Sequence, residues 1–176
     1  MRESSKMLEF LDPVTALRIY KIFHSALVAT ARLKKGRIRT FAGDRIGVIF
    51  DLLKERQRST AVETAILMED MLENIVNPFL ENNIGHTIKY GIGIDYGKMF
   101  VGRIGQSGSD NNDLAWVGTA MNRASKLADI PEPGIYITNE VYTNMQLDLK
   151  DPSKMMWSMP IRNTDYGLIY KYFGYE

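Results

Sequence analysis

The stretch from Arg37 to Phe50 (Arg-Ile-Arg-Thr-Phe-Ala-Gly-Asp-Arg-Ile-Gly-Val-Ile-Phe) constrains the fold more than any other. β-Branched and aromatic residues crowd both halves, and Gly43-Asp44 divides them. Glycine accepts positive φ and aspartate tolerates it, so the pair predicts a tight turn between two antiparallel strands. The hairpin therefore carries one carboxylate, Asp44, at its tip. Turn chemistry alone accounts for an aspartate there, and so does a ligand for a metal ion.

Helices flank this hairpin. Asp12 suits an N-cap and Pro13 the first helical position. Ala16, Ile19, Tyr20, Phe23, Leu27 and Ala31 follow at spacings of three and four, which predicts one buried face, with Lys34-Lys35-Gly36 as the stop. His24, inside this helix, reads as a packed histidine, because no second ligand type stands near it. Lys54 to Arg58 reads as a charged connector. Thr60 with Glu63 predicts a capping box, Val62, Ile66, Leu72 and Ile75/Val76 an apolar stripe, and Pro78 a stop before the loop Glu81-Asn82-Asn83. Met68 and Met71 read as core filler.

Alternation at Ile88, Tyr90, Ile92 and Ile94 predicts a strand over His86–Gly97, with Met99–Ile104 as its hairpin partner. Gln106 to Asp113 is polar and reads as a loop. Leu114–Val117 and Gly134–Thr138 predict strands, Thr119–Ala128 and Asn139–Met145 helices, and Leu168–Phe173 a last strand. Elements of both kinds mixed with hairpins indicate an α+β sandwich, helices covering one face of a mixed sheet.

Length and charge exclude several functions. At 176 residues the chain reads as a single domain, 1–176. Its 22 basic and 21 acidic residues nearly cancel, which gives no reason to expect a nucleic-acid or membrane-surface partner. Cysteine is absent, so disulfides, thiolate zinc sites and cysteine nucleophiles are excluded. No apolar run has the length of a membrane span, and the first residues lack the order of a secretory signal, so the expected location is cytoplasmic.

The second informative stretch is Asn112-Asp113-Leu114-Ala115-Trp116-Val117-Gly118-Thr119-Ala120-Met121-Asn122-Arg123-Ala124-Ser125-Lys126-Leu127. Asn122 and Lys126 are four apart and share a helical face. An amide beside an ammonium suits a phosphate whose charge grows in a transition state, although such pairs also occur on solvated helices.

Taken in order, the Gly43-Asp44 hairpin, Gly91-Ile92-Gly93-Ile94-Asp95-Tyr96-Gly97-Lys98-Met99-Phe100-Val101-Gly102, the Trp116–Leu127 segment and Gly134-Ile135-Tyr136-Ile137-Thr138 resemble the class III nucleotidyl cyclases. The resemblance implies a ferredoxin-like α+β sandwich and a homodimer with active sites at its interface. It also implies two divalent metal ions, Mg²⁺ or Mn²⁺, held by two aspartates of one subunit. By this resemblance Asp44 is the second metal aspartate and Asn122 positions the ribose. Lys126 stands where the family has arginine, keeping the charge while losing the bidentate fork. Arg103 and Arg45 become candidate triphosphate contacts, and solvated surface charges are an equal reading of both.

Three departures refine the expectation. Adenylate members carry Lys four residues before the hairpin aspartate and Asp seven before the asparagine. Thr40 and Ala115 stand at those two base-reading positions here, and the guanylate pair of Glu and Cys is absent too. Together with Lys126 this is most similar to the bacterial pyrimidine cyclases of anti-phage defence. Those make cyclic UMP or cyclic CMP from the nucleoside triphosphate for a downstream effector. The Thr40 hydroxyl both donates and accepts, so it does not separate uracil from cytosine. Finally, Arg2-Glu3-Ser4-Ser5 matches the segment that follows the family's first metal aspartate. The first strand with that aspartate is therefore expected to be missing from this chain, leaving it with weak metal binding and poor activity. Three rivals are a catalytically degenerate cyclase-fold module that binds nucleotide or dimerises, a GGDEF-type diguanylate cyclase, and a purine cyclase. The diguanylate cyclase is suggested by Ala42–Ile49, with Arg45 where that family has an acid.

Overall fold

The computed structural model describes residues 1–50, 59–105, 112–154 and 156–174. In chain order the elements are α1 (Ser4–Phe10), α2 (Pro13–Leu33), β1 (Arg37–Ala42), β2 (Arg45–Ile49), α3 (Thr60–Met71), a π-helical turn (Leu72–Val76) and α4 (Asn77–Ile84). They continue as β3 (Gly91–Ile94), β4 (Phe100–Gly105), β5 (Asn112–Val117), α5 (Thr119–Ala128), β6 (Gly134–Thr138), α6 (Asn139–Asn144), β7 (Ile161–Asn163) and β8 (Gly167–Lys171). The charged connector Lys54–Arg58 lies outside the described residues.

The strands form three groups: the β1–β2 hairpin, a mixed four-stranded sheet in the order β3-β6-β8-β7, and the β4–β5 hairpin. β3 runs parallel to β6, and β8 runs antiparallel to it. β6 is buried along its whole length. Its Ile135 and Ile137 pack with Val62, Ala65, Val141 and Tyr170, while Tyr136 joins Leu127 of α5 and Ile169. A second core forms where Ile19, Phe23 and Leu27 of α2 meet Met68, Leu72, Val76 and Leu80. Each such fully buried side chain contributes about 1.5–3 kcal/mol. The α+β expectation holds. Among the described residues no helix is long and apolar enough to cross a membrane.

Asp12 caps α2 as expected, accepting from the backbone N–H of Val14 at 3.0 Å and Thr15 at 3.1 Å. Its end differs slightly, because Lys35 rather than Gly36 takes the left-handed conformation, with φ 60°. Gly36 instead packs so closely beneath Val48 and Phe50 that a side chain would collide with both. His24 is packed, its Nδ1 2.9 Å from the Tyr20 carbonyl and its ring between Phe23 and Phe41.

Several expectations need correction. Ser59, not Thr60, precedes the first turn of α3, and Glu63 reaches Lys34 at 3.1 Å instead of closing a capping box. Pro78 does not stop the helix. The preceding turn widens into a π-helix, and Pro78 enters at the start of α4, where its missing N–H costs nothing, so Glu81-Asn82-Asn83 is helical. Only Gly91–Ile94 of the predicted strand is regular, and it pairs with β6, while Met99–Ile104 finds its partner in β5. Asn112 and Asp113, expected in a loop, begin that partner strand. Helix α1 and strand β7 had no signal in hydrophobic period.

Candidate functional site

The hairpin tip is held from two sides. Gly43 turns the chain at φ 59°, and the Asp44 carboxylate accepts a hydrogen bond from Ser4 Oγ at 2.7 Å. The Met1 amino group donates to the Asp44 carbonyl at 2.6 Å, and burial there pushes that amine below its usual range. Arg45, next along the chain, grips the carboxylate of Asp129 at the end of α5 with both terminal nitrogens, at 2.7 and 3.1 Å. It also donates to Ser125 Oγ at 2.9 Å. The resemblance offered Arg45 to a triphosphate; in the folded chain its guanidinium is engaged by α5.

Helix α5 presents Asn122 and Lys126 on an exposed face. The Lys126 ammonium lies 5.8 Å from the centre of the Tyr166 ring, a distance at which the ring's negative face holds a cation in place. Between them, Arg123 turns inward, its Nε 3.4 Å from Asp95 Oδ2. The Asp95 side chain is fully buried and accepts from Thr138 Oγ1 at 2.7 Å. This ties α5 to the ends of β3 and β6. α5 also lies so close to β3 that a side chain at Gly91 or Gly93 would strike the carbonyls of Ala128 or Ala124. Asp95, Tyr166 and Ser4 went unassigned by sequence reasoning. The one available signal was an acid closing an alternating apolar strand, at Asp95.

A cavity of about 430 Å³ opens between β2, β3 and α5. It gathers Thr40, Asp44, Arg45 and Asn122, four of the seven predicted site residues. Thr40 stands opposite Gly47 in the hairpin, and its hydroxyl fills the space a side chain at Gly47 would need. Ala115, Arg103 and Lys126 do not line this cavity. Ala115 and Arg103 sit in the β4–β5 hairpin, opposite Gly102 and Leu114. That hairpin meets β1 where the Arg39 guanidinium covers the Trp116 ring at 4.8 Å, one residue from Thr40 and one from Ala115.

Three carboxylates line the cavity: Asp44, Asp95 and Asp129. Asp95 is sealed between Thr138 and Arg123, and Asp129 is paired with Arg45. Asp44 gives one oxygen to Ser4, the buried Asp95 Oδ2 has no hydrogen-bond partner and faces only Arg123, and among the described residues no group of three acidic or histidine side chains converges. The donor set offers Asp44 as a carboxylate ligand, while Asp95 and Asp129 each face an arginine.

No protein-family model matches the chain. A uridylate cyclase of Xanthomonas perforans is 30% identical over 155 residues, covering 85% of this chain and 64% of that protein. A uridylate cyclase of Rhodovulum sp. (strain MB263) is 32% identical over 171 residues, covering 89% of this chain and 68% of that protein. The chain thus spans about two thirds of the length of these relatives. Among solved structures, the adenylyl cyclase CyaB of P. aeruginosa superposes with a TM-score of 0.79 at 20% identity, over 99% of this chain and 90% of that one. At that identity the match speaks for the fold.

Proposed function

The chain belongs to the class III nucleotidyl cyclase family, and from that premise we propose that it is a pyrimidine cyclase domain turning UTP, or CTP, into the 3′,5′-cyclic nucleotide and pyrophosphate. The observation that carries this reading is the Asp44 carboxylate fixed at the hairpin tip by Ser4, with Asn122 and Lys126 exposed on α5 where a second copy can reach them and Thr40 where purine cyclases place a charged base reader. A threonine hydroxyl of either hydrogen-bonding sense, with Ala115 for its counterpart, leaves no charged pair for a purine edge. That the relatives of about 30% identity are named uridylate cyclases supports UTP.

In the proposed reaction the ribose 3′-oxygen attacks the α-phosphorus, its proton passes to solvent, and the bond from the α-phosphorus to the bridging oxygen of pyrophosphate breaks, pyrophosphate leaving. Asn122 orients the ribose so that attack is in line. Lys126, held over Tyr166, meets the charge that grows on the α-phosphoryl oxygens. Both side chains are exposed in the single chain, as required if they serve a site completed by a second copy. The β4–β5 hairpin supports that arrangement, because Phe100, Val101, Ile104 and Val117 are more than half exposed. Arg103, on the same hairpin, is a candidate for the triphosphate. The cyclic nucleotide would act as a messenger to an effector in anti-phage defence.

The engagement of Asp95 by Arg123 and of Asp129 by Arg45 favours a second reading, a nucleotide-binding or dimerising module without turnover. One experiment separates the two. The chain, and a version carrying an aspartate-bearing strand ahead of Met1, are incubated with each of the four nucleoside triphosphates and Mn²⁺, and products are read by mass. Cyclic UMP or cyclic CMP from the extended version, with little from the chain itself, is the expected result. Binding without product in both leaves the module, and a cyclic purine or a cyclic dinucleotide overturns the pyrimidine assignment.

A further inference from the structure

Asp95 is a buried carboxylate to which the proposed reaction gives no part. It stands directly after β3, its side chain fully buried, in the wall of the cavity. Oδ1 accepts from the hydroxyl of Thr138, the last residue of β6 and itself only 1% exposed. Oδ2 accepts no hydrogen bond, and the cation that faces it is Arg123, whose Nε lies 3.4 Å away. Taking an ion pair out of water is costly, and apolar side chains of similar volume often stabilise a fold as well or better. Stability therefore does not account for this trio. Direction does, because one buried negative charge draws one guanidinium to one place.

Arg123 lies on α5 between the two residues proposed for the chemistry. The C-terminal half of that helix is held without it. Leu127 is fully buried, Arg2 donates to the Ala128 carbonyl at 2.8 Å, and Arg45 holds Ser125 and Asp129. The N-terminal half has less. Gly118 precedes it without a side-chain cap, and beneath Ala124 lies Gly93, which has no side chain to interlock with the helix. On an α-helix Asn122 and Lys126 stand about 100° and about 60° to the same side of Arg123. Turning the helix by about 10° swings a side chain ~6 Å from its axis through about 1 Å. A misplacement of that size can cost ~10²-fold in rate.

We propose that Asp95 is a positioning residue: acting through Arg123, it sets the rotation of α5 and so the places of Asn122 and Lys126. Thr138 fixes the carboxylate, the carboxylate fixes Arg123, and the helix turns with Arg123. The effect on rate rests on the proposed cyclase reaction, whereas the effect on geometry rests on the contacts of Asp95.

Two variants test this. Asp95→Asn removes the charge while keeping the shape and an acceptor for Thr138. The triple variant Asp95→Leu, Thr138→Val, Arg123→Met replaces the whole trio by apolar side chains. In whichever turns UTP over, the chain or its extended version, both should lower kcat by ~10- to 100-fold. KM should stay within about threefold, the pattern of an interaction felt mainly in the transition state. The triple variant should melt no lower than the unmutated protein. Arg123→Lys, which keeps the charge, should keep most of kcat. A second readout needs no turnover. The Lys126 ammonium lies over the Tyr166 ring, so the NMR shifts of the neighbouring methylene carry that ring's current. In both variants of the chain these shifts should move toward those of Tyr166→Leu. Full kcat in the triple variant, a loss of kcat that appears only with a lowered Tm, or Lys126 shifts that stay in place overturn the inference. If no version yields a cyclic nucleotide, the proposed function fails, and the Lys126 shifts decide the inference by themselves.

Discussion

Two antiparallel hairpins of similar size behave differently in this fold. The β1–β2 hairpin is docked: Ser4 holds Asp44, Asp129 holds Arg45, and Ile38, Ile46 and Val48 pack on the α2 core. The β4–β5 hairpin stands out from the body, with Phe100 75% and Val117 62% exposed. Hairpins are stable in water only when a face is covered. The first is covered within the chain and fixes a carboxylate in place. The second leaves its apolar surface exposed, and under the proposed function a second copy of the chain covers it. Under the proposed function, the domain fixes one part of its chemistry internally and takes the other part from assembly.

The largest expected effects fall on the assembly side. Under the proposed function, Lys126→Ala in a version that turns nucleotide over should lower kcat by ~10²–10³-fold, the range for removing one group that stabilises transition-state charge. Lys126→Arg should retain most of the activity. Val101→Asp combined with Ile104→Asp should convert a dimer to a monomer by sedimentation and remove activity with it, while the far-ultraviolet circular dichroism stays unchanged. A monomer that remains fully active would break the comparison outright. On the docked side, Arg45→Ala should leave the dimer intact and lower stability by only ~0.5–1 kcal/mol, since that pair is half exposed and screened by salt. Denaturant midpoints check it, and dissociation of the dimer by this substitution would reverse the roles assigned to the two hairpins.

The smallest effect concerns pH. Hydrogen bonds to Lys6 and Lys89 hold the Glu3 carboxyl at about 2, below its ordinary 4.5. A carboxyl lowered in the folded state stabilises fully above its unfolded value and loses that contribution as pH falls. The loss should therefore run from about pH 4.5 down to about 2. Glu3→Gln should flatten this part of the acid stability curve slightly, and 0.5 M salt should flatten it too. A parallel, undisplaced curve would show that the links from Glu3 to Lys6 and Lys89 contribute nothing.

Much of this was legible in the residues. The Gly43-Asp44 turn, the Asp12 cap and the stripe of α2 follow from local rules, and the structure shows each of them. The spacing of Asn122 and Lys126 placed both on one exposed face. What the sequence did not reveal depends on contacts between distant segments. Arg45 looked available until Asp129, far along the chain, appeared beside it. Met99–Ile104 has strand character without naming its partner, and pairing with β5 was decided by tertiary arrangement. Pro78 failed as a stop because a π-helical turn absorbed it, a device without a hydrophobic period. Asp95 was passed over because burial, which gives it its hold on Arg123, has no signature in residue type.

The central claim is that Asp44 of one copy works with Asn122 and Lys126 of another. Mixing two inactive variants of the extended version, Asp44→Asn and Lys126→Ala, tests it most directly, because a mixed dimer rebuilds one intact site from two unmutated halves. The account predicts recovery of about a quarter of the unmutated activity at equal concentrations, half of the dimers being mixed and each holding one good site. A mixture as inactive as its two components, with mixed dimers confirmed by mass, would contradict it.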